Sequence, residues 1–265
     1  MRLYYEVAKR SFARQGAYRA ANLAGLATNV FFGIMRNYLF IALYAGAGAT
    51  VQAGWTVADA VTFVWVAQAI IMPIFIWGWW DIALTIRSGD VVSDLSKPFD
   101  YYSFWLAQDV GRAVFHLFFR AVPTLFIGVL LFDARLPDDP LRWLAFLLSG
   151  ALAIWISFGL RFLSNISSFW LLDYRGVGLL LMFMNGFFGG LLVPLNYWPN
   201  WARPIAEALP FAGMIQVPVD VYLGKATGMG LTDALLFQLM WGAGLMLANR
   251  QVLNLAVRKV IVQGG

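Results

Sequence analysis

Side chains able to carry covalent or metal chemistry are scarce in this sequence. There is no cysteine and a single histidine, His116. The first excludes disulfides, thiolate metal sites and cysteine nucleophiles. His116 with Ser149 or Ser157 would be the raw material for hydrolysis inside a membrane. The sequence positions put His116 and Ser149 toward opposite sides, whereas a base must lie within hydrogen-bond reach of its nucleophile. A buried, hydrogen-bonded structural histidine is the simpler reading. Gly224-Lys225 is not a phosphate-binding loop, because Ala226 stands where Ser or Thr is required and the earlier glycine is missing. The residues thus give no catalytic set, no metal site and no nucleotide site on this chain.

The charge that could do mechanical work is concentrated in one stretch, DIALTIRSGDVVSDLSKPFDYY, from Asp81 to Tyr102. It carries Asp81, Arg87, Asp90, Asp94, Lys97 and Asp100 between long apolar runs, with Gly89 and Pro98 as breakers. Trp77, Trp79 and Trp80 precede it, and Tyr101, Tyr102 and Trp105 follow; such rings favour the membrane–water boundary. The segment is expected to leave the bilayer, make a short helix or turn, and return. Two readings are open: a handle by which a soluble partner moves the membrane helices, and an ordinary solvated loop.

The elements that would position this segment follow from composition. The chain has 265 residues, 61% apolar and only 12% charged, where a soluble domain holds about 25% charged residues. Its mean hydropathy is +0.70. The length accommodates about six spans of roughly 20 residues each. The expected fold is an all-α membrane protein with six transmembrane helices. Residues 1–21 read as a basic amphipathic helix lying in the interface or as a plain positive tail. Residues 22–265 read as the transmembrane domain, with 81–102 as the cytoplasmic loop and the proline-rich stretch 195–230 as short outer helices dipping into the bilayer. No cleavable signal peptide is visible at the N-terminus.

The spans are expected at about 22–45, 57–80, 113–132, 143–163, 177–195 and 232–253. Lys and Arg concentrate at the N-terminus, in the 81–102 loop, at Arg175 and at Arg250, Arg258 and Lys259. Fewer lie at Arg135, Arg142, Arg203 and Lys225. This bias predicts cytoplasmic N- and C-termini in the cell's cytoplasmic (inner) membrane. No basic stripe stands on a soluble surface, so a nucleic-acid partner is not expected.

Polar residues inside spans are the other functional signal. Asn29 and Arg36 lie on one stripe of the first span, with Asn37 beside it, facing the bundle interior or a subunit interface. Arg36 is either paired to backbone carbonyls or in contact with substrate. In the fifth span Gly186 and Gly190 make a small-xxx-small pattern, with Asn185 placed to hydrogen-bond across it, which suits either a contact between chains or close packing within one. Asp109, Arg112, His116 and Arg120 share one side of the third helix. Arg112, Arg120 and Arg161 are expected to snorkel to the inner boundary. Asp59 is expected to cap the second span, and Pro123 to kink the third. No intramembrane carboxylate stands out and no repeat relates the two halves, which argues against an ion-coupled secondary transporter.

Two stretches, IRSGDVVSDLSKPFDYYSFW after the second span and GGLLVPLNYWPNWARPIAEALPF after the fifth, resemble the ABC-2 type permeases. These are six-span membrane subunits of ATP-binding cassette exporters, and the likeness is to the daunorubicin- or viologen-exporter kind. The resemblance implies an all-α exporter subunit that pairs with a second copy or a related permease in the lipid bilayer. Separate ATPase subunits would drive it, with ATP and Mg on those partners and no cofactor on this chain. It implies an ATPase-coupling set of Arg87, Ser88, Gly89, Asp90, Val91, Asp94, Leu95 and Lys97. The first and fifth spans, with Asn29, Arg36, Asn37, Asn185, Gly186 and Gly190, would line the translocation path or dimer interface.

Overall fold

The computed structural model describes residues 2–48, 51–75, 77, 79–171, 174–226 and 230–258. Lys259, named above among the basic residues of the C-terminus, lies outside these. The chain is almost wholly helical. Helix α1 (Arg2–Gly16) is followed by α2 (Arg19–Ala47), a two-residue-per-strand hairpin β1 (Val51–Gln52) and β2 (Trp55–Thr56), and α3 (Val57–Ile74). Then come α4 (Asp81–Ser88), α5 (Val91–Leu95), α6 (Tyr101–His116), α7 (Val122–Phe132), α8 (Pro140–Ile166) and α9 (Tyr174–Phe188). Last are α10 (Arg203–Ala208), α11 (Gln216–Leu223) and α12 (Leu231–Val257). The hairpin is a small departure from the purely helical expectation.

Helix α3 is the centre. It is apolar on every side, and Phe63, Val64, Trp65, Val66 and Ala67 are fully buried, as befits a helix with no polar face. Helices α2, α7, α8 and α11 pack around it. Thr56 and Asp59 close its start as a reciprocal capping box, which satisfies amide donors that a helix leaves free. The expected cap at Asp59 is present, and Asp59 also pairs with Lys225 and, at 3.5 Å, with Arg135.

Contacts at the helix ends define two levels. At one, Tyr44 donates to the Trp55 carbonyl at 2.9 Å and meets the Tyr197 hydroxyl at 2.8 Å, and Tyr222 donates to the Arg135 carbonyl at 3.0 Å. At the other lie α1, α4 and α5, with Arg250 on Asp100 at 3.3 Å and Trp80 against Tyr174. The chain runs between these levels as α2, as α3, as α6 with α7, as α8, as residues 174–197 and as α12. Among the described residues, five helices are long and apolar enough to cross a membrane. The exception is α9, with 15 residues. It is about 22 Å long, and the passage is completed by turns and a 3-10 turn at Leu195–Tyr197.

The third passage is longer than expected. Helix α6 begins at Tyr101 and continues through a π turn at Leu117–Ala121 into α7. The π turn answers Pro123, whose ring would press on the carbonyl four residues back and which donates no hydrogen bond. Outer faces are strongly apolar: Phe31, Phe32, Tyr38 and Leu39 on α2, Phe126, Leu130 and Leu131 on α7, and Leu236 and Met240 on α12 are exposed. Patches of this extent need lipid or another apolar surface against them.

Candidate functional site

The 81–102 segment has two faces. Ile82, Ala83 and Val91 are buried. Ile82 and Val91 join a cluster with Tyr101, Tyr102, Trp105, Phe158 and Phe162 from α6 and α8, against which Ile86 and Leu95 also pack. Arg87, Ser88, Gly89, Asp90, Ser93 and Lys97 are exposed on the other face. Between α4 and α5 the chain turns at Gly89 with φ of 84°, a left-handed conformation that a side chain disfavours. Ser88 donates to Asp90 at 2.6 Å and Lys97 pairs with Asp94 at 2.7 Å, so the ridge is braced locally. Val91 and Leu95, both in the expected ATPase-coupling set, lie on the underside, Val91 buried and Leu95 half-buried, and hold the segment on the bundle, because they supply the apolar half of an amphipathic piece.

Three connections tie this segment to the membrane helices. Asn165, fully buried near the end of α8, accepts from the Ala83 amide at 3.0 Å and donates to the Trp79 carbonyl at 2.6 Å. Arg87 lies over the Tyr174 ring at 5.6 Å, at the start of α9. Asp100 caps α6 by accepting from the Ser103 amide at 2.8 Å, and Arg250 of α12 reaches the same carboxylate. Burial of Asp100 acts to raise its pKa. The Ser103 contacts and the Arg250 guanidinium outweigh that and hold it below the usual carboxylate value.

Immediately inward is a charged knot that the sequence reading did not assemble. Arg161 of α8 grips Asp109 of α6 through both oxygens, at 2.9 and 2.7 Å. Arg112 donates to Asp109 at 2.9 Å and to the carbonyls of Met72 and Pro73 at 2.8 and 2.9 Å. Ser157 donates to the Ile74 carbonyl at 2.7 Å and accepts from Arg161 at 3.2 Å. The last carbonyls of α3 have no partner within their own helix. They carry the negative end of its dipole, so they suit the surplus cation of a two-arginine, one-aspartate set. Phe75, at φ of 59°, sets its ring 4.5 Å from the Arg112 guanidinium and 5.4 Å from that of Arg161.

This corrects the snorkelling expectation. Arg112, Arg120 and Arg161 are all buried, and Arg120 turns toward Asn29 across α2, at 3.5 Å. A buried guanidinium is held where carbonyls and a carboxylate replace water. Asp109, in the first half of a helix long and apolar enough to cross a membrane, has both oxygens engaged by arginine. The signal available in the sequence was Asp109 three residues before Arg112 on the polar side of α6, and Ser157 four residues before Arg161 on α8.

The remaining expected positions are scattered along α2 and α9. Asn29 is buried and donates to the Gln68 carbonyl at 3.4 Å. Arg36 donates to the Leu191 carbonyl, which is the backbone-paired arrangement of the two that were open. Asn37 is fully buried, and neither of its side-chain polar atoms has a partner among the described residues. Asn185 is buried in α9. Gly186 lies near its end, but Gly190 is beyond it, in a turn with φ of 82° where a Cβ would meet the Gln216 side chain at 2.6 Å. The two glycines are therefore not a helical stripe. Among the serines, Ser149 donates to Gln238 at 2.8 Å and Ser157 to Ile74, both in structural bonds. His116 is buried as expected, but its Nδ1 lacks a hydrogen-bond partner among the described residues. Lys225 sits on Asp59 and the Gly54 carbonyl, at the hairpin.

Long apolar helices with lipid-type outer faces, joined by a braced polar ridge at one end, define a multi-pass membrane protein. The family model described as ABC-2 family transporter protein matches residues 31–264. The chain belongs to that family. The matched range begins within α2, so α1 lies before it. No curated protein and no solved structure matches the chain.

Proposed function

We propose that this chain is the permease subunit of an ATP-binding cassette exporter, pairing with a second copy or a related permease and moved by separate ATPase subunits. One observation carries the reading: the 81–102 segment presents an exposed polar ridge while its underside is fixed to α6, α8, α9 and α12. A partner that changes shape on that ridge would move several spans together as rigid bodies. It must bind the ridge differently in its two nucleotide states, or no equilibrium shifts. Arg87, Ser88, Gly89, Asp90, Asp94 and Lys97 form the contact surface in this reading. Val91 and Leu95 transmit rather than touch.

In this reading the end that carries α1, α4 and α5 is the cytoplasmic one, which the positive charge near it supports. Arg36, Asn29 and Asn37 of α2, with Asn185 and Gly186 of α9, belong to the two helices that would line the path or the paired subunit in this reading, although Asn29, Asn37, Asn185 and Gly186 are buried within the single chain.

The test is retention of the cognate ATPase by membranes carrying the chain. Asp90→Lys and Asp94→Lys are expected to lower retention and ATP-driven export together. Unchanged binding and export in both variants would refute the docking role.

A further inference from the structure

A groove of about 340 Å³ runs between α1 and α6. Its walls are Leu3, Val7, Arg10 and Arg14 of α1 and Phe104 and Gln108 of α6. These walls are fixed to each other. Ser11 donates to the Gln108 carbonyl at 2.6 Å, and the Phe12 and Phe115 rings meet edge to face at 5.4 Å. Gly111 lies so close to α1 that a Cβ there would stand 2.0 Å from the Ala8 carbonyl oxygen.

The groove is divided chemically. Leu3, Val7 and Phe104 give it an apolar length. Arg10 and Arg14 stand one turn apart, exposed, and neither guanidinium has an ion pair or hydrogen bond among the described residues. Glu6 is one turn before Arg10 and does not pair with it. Two free cations at the mouth of a rigid apolar groove, at the level where spans meet the membrane boundary, complement a negative headgroup with a hydrocarbon tail. A free phosphate would leave the apolar wall unused.

We propose that this groove binds one anionic phospholipid, with its phosphate between Arg10 and Arg14 and an acyl chain along Leu3, Val7 and Phe104. The site does not depend on the ATPase reading. It bears on the same end of the molecule, because the Tyr4 hydroxyl accepts from the Asp100 amide at 3.3 Å, beside the groove and directly before α6.

The experiment is native mass spectrometry of the full chain, titrated with phosphatidylglycerol or phosphatidylcholine. The variants are Arg10→Gln, Arg14→Gln, Val7→Trp and Lys9→Gln. Lys9 is exposed and off the groove, so it controls for diffuse attraction. One phosphatidylglycerol per chain is expected to persist over phosphatidylcholine. Each arginine change should weaken it about fivefold, and Val7→Trp should displace it with charge unchanged. Lys9→Gln and added glycerophosphoglycerol should have no effect. Equal retention of both lipids by the unaltered chain would overturn the proposal. So would an equal loss in Lys9→Gln, or displacement by the tail-less headgroup.

Discussion

Arg161 and Asp109 face each other across the α8–α6 contact with both carboxylate oxygens bonded, and each side chain is 2% exposed. This pair, with Arg112, closes the end of α3 and stands one layer inward from the ridge of α4 and α5. Ridge and bundle are thus joined by a polar contact at Asn165, an apolar one at Ile82 and Val91, and the charged knot behind them.

Asp109→Asn leaves two buried guanidinium groups sharing no carboxylate. Removing one partner of a buried ion pair costs about 3–5 kcal/mol, whereas replacing the whole set with packed apolar groups is often neutral. The single variant is therefore expected to lose most of its thermal stability. The triple change Asp109→Leu, Arg112→Met, Arg161→Met should recover much of it, though the α3 carbonyls then lose their donors. Melting of the detergent-solubilised chain, followed by fluorescence-detected size exclusion, checks both.

Gly89→Ala should be harmful for a conformational reason alone. Nothing lies within 4 Å of a Cβ at that position, so there is no clash, but φ of 84° costs an L-residue about 1–2 kcal/mol. Gly89→Asn should be milder, because Asn visits that region more readily. The expected outcome is reduced export in the order alanine below asparagine below wild type, with expression of all three unchanged.

Gly111→Leu should separate α1 from α6, since even a Cβ there overlaps the Ala8 backbone. Backbone cannot be displaced cheaply, so α1 must lift as a unit. Spin labels on α1 and at exposed Val110 should report a longer, broader distance distribution. An unchanged distance would show that the two helices do not pack in this way.

The Asp100–Arg250 contact should not sense neutral pH. The Asp100 pKa is lowered by the Ser103 and Arg250 contacts. Stability from a depressed carboxylate is complete above its unfolded pKa and is lost as pH falls through the folded one. The link between α6 and α12 is thus expected to hold from about pH 5 to about pH 8 and to weaken only in acid. The distance between spin labels placed at positions 99 and 251, measured from about pH 3 to about pH 8, tests it: it should be constant above about pH 5 and broaden only below.

Much of the fold could be read from the sequence because apolar length and breakers are local signals. The long apolar runs became helices, Asp59 became a cap, and Gly89 became the turn between two short helices. The proline-rich stretch 195–230 holds a short helix at Arg203–Ala208. What could not be read was which polar side chains meet. Arg112 is three residues from Asp109 on α6, but Arg161 is far away in sequence, and only the α6–α8 contact brings it to the same carboxylate. Val91 and Leu95 look like part of a polar loop until the aromatic cluster beneath them is known. Gly190 belongs to an apparent helical pattern only if α9 continues past Phe188, which it does not.

The π turn at Leu117–Ala121 divides the third passage into unlike halves. The first half is gripped by α1 and by the knot on α8. The second lies against α2 and α3 near the hairpin. A wide turn holds its backbone bonds less firmly than the helix on either side, so it is where a long rod bends under load. If a partner does act on the α4 ridge, as proposed above, Tyr101–His116 would tilt about this joint while Val122–Phe132 kept its seat. The distant end of the molecule need not follow every movement of the near one.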